Sequence, residues 1–259
     1  MNILFVGDVF GPPGIDAVQG LLPRLRSELE IDVCIVNGEN AADGAGIVPR
    51  QAELLLAAGA DAITLGNHVW RREAIGPYLS SSERVIRPAN LSDTAPGRGL
   101  TVVEAVDGTR VAVLNVLGSL YLNPPHSLFE RIDALVDEAR AATPVIVVDI
   151  HAEATSEKIA LAAWLDGRVT AVLGTHTHVQ TADARILRGG TAAMTDVGMT
   201  GPHDSVIGVE SRLAIARMRT GMPVRFQVAS GDVRLEGALV RCDAATGRAT
   251  AIEPVRVTH

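Results

Sequence analysis

AVLGTHTH, residues 171–178, is an apolar run that ends in two histidines one residue apart. A strand turns successive side chains to opposite faces, so His176 and His178 are expected to point the same way. Two imidazoles on one face share either a polar environment or a metal. Four other apolar runs finish in the same manner. ILFVG precedes Asp8, CIVNG precedes Glu39 and Asn40, AITLG precedes Asn67 and His68, and IVVDI precedes His151. In four of the five a glycine stands just before the polar group, where it lets the chain turn sharply and lets a ligand approach the backbone. Sites in open α/β sheets gather at the carboxyl ends of parallel strands. Taken singly, Asp8 and Asn67 read as helix caps, Glu39, Asn40 and His68 as loop residues, and His151 with Glu153 as a surface ion pair. Taken together, they predict one shared polar site.

Outward from these runs, the first third alternates strand and helix. NILFVG, DVCIVNGEN and DAITLGNH are separated by helical spacing in PGIDAVQGLLPRLRSEL and PRQAELLLAAG, a pattern that predicts parallel pairing through right-handed crossovers. GPPG (11–14) reads as a turn and Pro23 as a kink point. GLTVVEAV and RVAVLNVLG, joined through Asp107-Gly108, predict a hairpin. A helix near 127–142, the strand PVIVVDIHAE and the helix SEKIALAAWL lead to the opening run. The last third predicts strands at ARILRGG, TAAMTDVG, PVRFQVAS, VRLEGALVR and RATAIEPVRV, with a helix over 210–219. No linker, low-complexity segment or charge block interrupts the chain. The expected architecture is a single α/β domain over residues 1–259, with two packed mixed sheets flanked by helices.

Composition removes several classes of function. The 259 residues are 47% apolar, but no apolar run approaches the roughly 18 residues of a membrane span. The apolar start is short, broken by Asp8 and without a basic leader, so a cytoplasmic protein is expected. A formal charge of −7 without a basic run disfavours long nucleic acids. Lys158 is the only lysine, and neither a G-x-x-x-x-G-K-[ST] loop nor a G-x-S-x-G elbow occurs. Cys34 and Cys242 lie in strand-like runs and read as core thiols.

The chemistry follows from the donor inventory: two carboxylates, two carboxamides, up to four imidazoles and no thiolate. Such a set suits Mn²⁺, Fe²⁺ or Zn²⁺ and leans away from a structural zinc site. It holds more ligands than one tetrahedral ion can use. Two divalent ions bridged by a carboxylate, about 3.5–4 Å apart, would use them all, activate a bridging water and neutralise a phosphate oxygen. Phosphoester hydrolysis is the natural reaction, with a small anionic substrate.

These residues resemble the calcineurin-like metallophosphoesterases, in the order GD (7–8), GEN (38–40), GNH (66–68), His151 and GTHTH (174–178). The superfamily usually has a histidine where Phe10 stands, and an aspartate where Glu39 stands. With MTDVGMTGPHDSVIG (194–208), these departures resemble the YmdB-like subgroup over essentially the whole chain. The resemblance implies a four-layer sandwich and a 2′,3′-cyclic-nucleotide 2′-phosphodiesterase that releases a nucleoside 3′-phosphate. Two divalent ions are expected, with iron or manganese favoured and zinc possible. Asp8, Glu39, Asn40 and His178 would hold one, and Glu39, Asn67, His151 and His176 the other. His68 would remain as the general acid. A homo-oligomer is plausible from the resemblance alone.

Other readings stay open. A phosphomonoesterase or nuclease could use the same centre, and a metal-binding regulatory protein could carry it with incidental activity. His203 is either a substrate contact or a loop histidine, and Trp70 either core or a base-stacking surface. Thr175 and Thr177 are expected to support the ligands. His126 and His259 are expected at the surface.

Overall fold

The computed structural model describes residues 1–259. Its first half builds one sheet: β1 (Asn2–Val6), the two-residue β2 (Asp8–Val9), α1 (Gly11–Glu28), β3 (Val33–Asn37), α2 (Pro49–Ala57) and β4 (Ala62–Thr64). A 3-10 turn over Val69–Arg71 and α3 (Ile75–Ser81) follow. β1, β3 and β4 are parallel neighbours, as the strand–helix alternation predicts. The second sheet begins with β5 (Leu100–Glu104) and β6 (Arg110–Leu117), antiparallel around the Asp107-Gly108 turn. It continues through α4 (Leu128–Ala142), β7 (Ile146–His151), α5 (Thr155–Trp164), β8 (Ala171–Thr175), β9 (Arg185–Ile186) and β10 (Ala192–Met194). β6, β7, β8 and β10 run parallel, and β9 pairs antiparallel with β10. The chain then returns to the first sheet with β11 (Met199–Pro202), α6 (Ser211–Thr220), β12 (Val233–Cys242) and β13 (Ala249–Thr258). The strand orders are β2-β11-β12-β1-β3-β4, with β13 on β12, and β5-β6-β7-β8-β10-β9.

Strand alternation sorts the apolar residues into three layers. Ile3 and Phe5 of β1, Val33 and Ile35 of β3, and Ala238 and Val240 of β12 meet Val111, Val113, Val147 and Leu173 of the second sheet. The intervening residues turn the other way. Leu4, Val6, Cys34 and Val36 pack against Val18, Leu22 and Leu55 of α1 and α2. Leu114, Val148, Ile150 and Val172 pack against Ile132, Val136 and Leu161 of α4 and α5. The result is helices, sheet, sheet, helices, the expected four-layer α/β sandwich. Both cysteines are buried and unpaired, and burial pushes the Cys242 thiol up to about 11.

Three local expectations change. GPPG is the first turn of α1, with proline in that turn, where the missing N–H costs nothing. Within PVRFQVAS, Val228 alone forms a β-bridge, to Val209. Pro223 lacks a donor, and residues 223–227 run as a mostly exposed loop. Strands β2 and β11 pair in parallel beside the first strand ending, through Asp8–Met199 and Val9–Thr200; their two to four residues are too short to show a period.

Candidate metal centre

The five polar strand endings converge from both sheets. Asp8 starts β2 directly beyond β1, Glu39 and Asn40 follow β3, and Asn67 and His68 follow β4. His151 closes β7, and His176 and His178 follow β8. Asp8, Glu39, Asn40 and His151 are fully or almost fully buried, and His178 nearly so.

β8 stops at Thr175, so strand alternation does not aim the two histidines. His176 and His178 both lie in the left-handed region, at φ 97° and 64°, a conformation uncommon for residues other than glycine. Both rings still reach the centre. His176 Nδ1 lies 3.1 Å from His151 Nε2, and His178 Nε2 lies 3.7 Å from Asp8 Oδ1.

Each imidazole commits one nitrogen to an outer partner and turns the other inward. His151 Nδ1 faces Thr175 Oγ1 at 2.8 Å, and that hydroxyl donates to Asp149 Oδ1 at 2.7 Å. The other nitrogen, His151 Nε2, faces Asn67 Oδ1 at 3.0 Å and Glu39 Oε1 at 3.2 Å. His176 Nε2 pairs with Glu153 Oε2 at 2.9 Å, so Glu153 serves His176 rather than His151. His178 Nδ1 faces the Ile207 carbonyl at 3.1 Å. Three inward nitrogens whose tautomers are set from behind are what imidazole ligands require.

Glu39 Oε1, though buried, accepts no hydrogen bond. Its neighbours are His151 Nε2 and His68 Nδ1, each at 3.2 Å. Glu39, His151 and His176 form a cluster in which one donor atom from each lies within 4.8 Å of the others. An orphaned carboxylate oxygen among bare imidazole nitrogens fits a divalent cation. Burial opposes the Glu39 charge, but His151 and His68 outweigh it and hold the carboxyl well below its ordinary range. Burial works against the His151 cation too, and Glu39 outweighs it, raising His151 to about 9. Burial and the neighbouring His151 push His176 down to about 3, which keeps it neutral. Burial raises Asp8 against the pull of His178 and His151.

Two residues sit differently from a simple ligand reading. Asn40 turns Nδ2 toward His178 Nε2 at 3.0 Å and Asp8 Oδ1 at 3.5 Å, while its Oδ1 faces His68 Nδ1 at 2.8 Å. Presenting an oxygen to Asp8 and His178 requires a turn of the amide. His68 is anchored by that contact and by its backbone N–H to Glu39 Oε2 at 3.0 Å; its Nε2 makes no hydrogen bond. Gly66, immediately before Asn67 and His68, shows why this turn needs glycine. A Cβ there would fall 2.2 Å from Glu39 Oε2 and 2.4 Å from His151 Nε2.

The centre floors a cleft of about 570 Å³. Phe10, Ile207, Val209 and Phe226 line it together with His68 and Arg71. Phe10 stands where a histidine is usual in the superfamily and packs edge-on against His178, with ring centroids 5.7 Å apart. His203 and Trp70 are not among the residues that line the cleft: His203 Nε2 faces the Met199 carbonyl, and Trp70 is 42% exposed and so does not serve the core. Sequence reasoning misses Asp149, inside the run IVVDI, where a lone carboxylate among apolar strand residues is the available signal. It is fully buried, burial raises it to about 6, and Asn37 Nδ2 donates to it at 3.0 Å.

Two mixed sheets between helical layers, with carboxylates, carboxamides and imidazoles gathered at their strand ends, define a calcineurin-like phosphoesterase fold, a class of phosphoester hydrolases. Within it the chain belongs to the family described as YmdB-like protein, whose model matches residues 4–255. A Bacillus subtilis (strain 168) relative is 46% identical over 257 residues, 99% of this chain and 97% of that protein, and bears the name 2′,3′-cyclic-nucleotide 2′-phosphodiesterase. A crystal structure of a hypothetical protein from Thermus thermophilus superposes with a TM-score of 0.93 at 43% identity, covering 100% of this chain and 99% of that one. A phosphatase from Mycoplasma pneumoniae gives 0.92 at 34% identity, covering 100% and 93%.

Proposed function

We propose that this protein is a cytoplasmic metal-dependent phosphodiesterase that opens 2′,3′-cyclic nucleotides to nucleoside 3′-phosphates. The observation that carries the reading is the convergence of His151, His176 and His178 nitrogens on the buried Asp8 and Glu39 carboxylates at the cleft floor. The name of the Bacillus subtilis relative supplies the substrate class. Asp8, Glu39, Asn40 and His178 would hold one divalent ion, and Glu39, Asn67, His151 and His176 would hold the other. Iron or manganese suits this nitrogen and oxygen set, and zinc is the alternative. Divalent ions bound there would supply a water of lowered pKa and positive charge toward phosphate oxygens.

The chain's own groups do the rest. With the Asn40 amide turned to offer its oxygen to the ion, its Nδ2 faces Nδ1 of His68, which leaves the ring proton on Nε2 to protonate the departing 2′-oxygen. Arg71, exposed on the cleft wall, supplies fixed positive charge toward an anionic substrate in a chain of net charge −7. The apolar wall from Phe10 to Phe226 takes the nucleoside.

The test is hydrolysis of 2′,3′-cyclic AMP with and without Mn²⁺, with the product isomer identified and His68→Ala run alongside. Metal-dependent release of the 3′-phosphate is expected. The variant should lose roughly 10²- to 10⁴-fold in kcat while keeping its metal. Release of the 2′-phosphate, or full activity in the variant, would reject the assignment of His68.

A further inference from the structure

Two ligand-bearing residues in a left-handed conformation, separated by one threonine, need something to hold them there. Non-glycine residues persist in that region when the surroundings over-determine them. The surroundings are unusually specific. Three donors converge on a single oxygen, Asp196 Oδ2: the Thr177 backbone N–H at 3.0 Å, the Thr177 hydroxyl at 2.7 Å and Lys158 Nζ at 3.0 Å. The other oxygen, Oδ1, accepts the Gly198 N–H at 2.9 Å. Asp196 is fully buried and the Lys158 side chain is 1% exposed.

Lys158 is the only lysine in the chain, and every other long cationic side chain is arginine. It reaches inward from α5, whose Leu161 and Ala162 join the apolar layer beneath the second sheet. A compact ammonium on a slender stem fits where a planar guanidinium would not. The fit is tight. A Cβ on Gly174, one residue before the end of β8, would meet the Thr195 carbonyl at 1.7 Å and Lys158 Cδ at 2.9 Å. A second carboxylate ties the loop at its start, since the His176 N–H donates to Asp8 Oδ2 at 3.1 Å.

We infer that Lys158 and Asp196 are positioning residues for the metal centre: a buried ion pair that clamps Thr177 and so holds His176 and His178 in their ligating conformation. Neither residue touches the centre; each acts through Thr177. The inference rests on the proposed roles of His176 and His178, and it explains why a lone buried lysine lies behind the final strand ending. Removing one partner leaves the other charge buried and unpaired, so the pair is costly to break. What distinguishes a clamp from a merely structural pair is where the effect is felt.

The experiment compares Lys158→Met and Thr177→Val with Leu161→Ala, a core truncation on the same helix α5. Amide exchange of residues 173–180 is followed in metal-free protein, and Mn²⁺ affinity is measured by chelator competition. Lys158→Met is expected to deprotect that segment and to weaken Mn²⁺ binding at least tenfold. Thr177→Val should weaken it severalfold with little loss of thermal stability. Leu161→Ala should lower the melting temperature yet leave both readouts near wild type. Should Lys158→Met fail to fold, Thr177→Val decides alone, because it removes one hydroxyl bond. Unchanged exchange and unchanged Mn²⁺ affinity in Thr177→Val, or equal effects in Leu161→Ala, would overturn the clamp. Wild-type protein that binds no Mn²⁺ would instead count against the metal reading, while the exchange comparison would still decide the clamp.

Discussion

Gly66 shows how little room the centre leaves for change at a single residue. Its hydrogen faces a carboxylate oxygen and an imidazole nitrogen at distances no methyl group can occupy. Gly66→Ala must therefore push Glu39 or His151 aside, or move the turn that carries Asn67 and His68. The residue lies beyond the end of β4, so the apolar layers on either side of that strand are untouched. The expected outcome is a folded protein with at least roughly tenfold weaker metal affinity, in the range seen when ligand orientation is disturbed. Metal titration alongside a thermal melt checks it, and retained affinity would show that the turn can shift without moving Glu39. His176 and His178 give the contrasting case. They stand where alternation along a strand would put them on one face, yet β8 ends before them and left-handed backbone brings the rings inward. A strand period read from sequence cannot show where hydrogen bonding stops, and here it stops at the residue before the first histidine.

At the scale of elements, the runs that carry a long apolar period were legible and the short or conditional ones were not. β1, β3, β4, β7 and β8 are all marked by aliphatic residues ending in a polar group, and the structure brings those endings together. The Asp107-Gly108 hairpin was equally plain, because the turn chemistry is local. β2 and β11 were invisible, since such short strands carry no period of their own and their pairing joins distant parts of the chain. PVRFQVAS has strand composition but pairs only through Val228, and it runs beside the cleft mouth. That placement has a functional consequence. Phe226 is 41% exposed on the cleft wall, and Arg217 of α6 lies 5.1 Å from its ring centroid. A base stacked on an aromatic face is worth about 1–3 kcal/mol, and an open rim favours the lower end. Phe226→Ala is expected to raise KM for 2′,3′-cyclic AMP roughly fivefold, with kcat and metal content unchanged. Steady-state kinetics check this, and an unchanged KM would place the nucleoside elsewhere in the cleft.

Across the whole molecule, the centre is also a joint between the two sheets. Asp8, Glu39, Asn40 and Asn67 come from the first sheet, and His151, His176 and His178 from the second. An ion held by residues of both binds the folded chain and has no comparable site in the unfolded one. Its binding free energy is then added to stability, about 2.7 kcal/mol when the free ion is at 100 times its Kd. For a chain of this size each kcal/mol moves the melting temperature by about 2–4 °C. Chelation is therefore expected to lower the melting temperature by about 5–10 °C. The shape of the transition carries a second message. Ile3, Phe5, Val33 and Ile35 share one continuous apolar layer with Val111, Val113, Val147 and Leu173, so neither sheet can open without exposing the inner face of the other. The metal-free protein should melt in one step that has moved, not in two that have separated. Calorimetry of loaded and chelated protein decides both points. Equal melting temperatures after verified metal removal would mean that the ligands gain nothing from bridging the sheets. A split transition would mean that the shared layer does not couple them, and that the chain is two folding units instead of one domain.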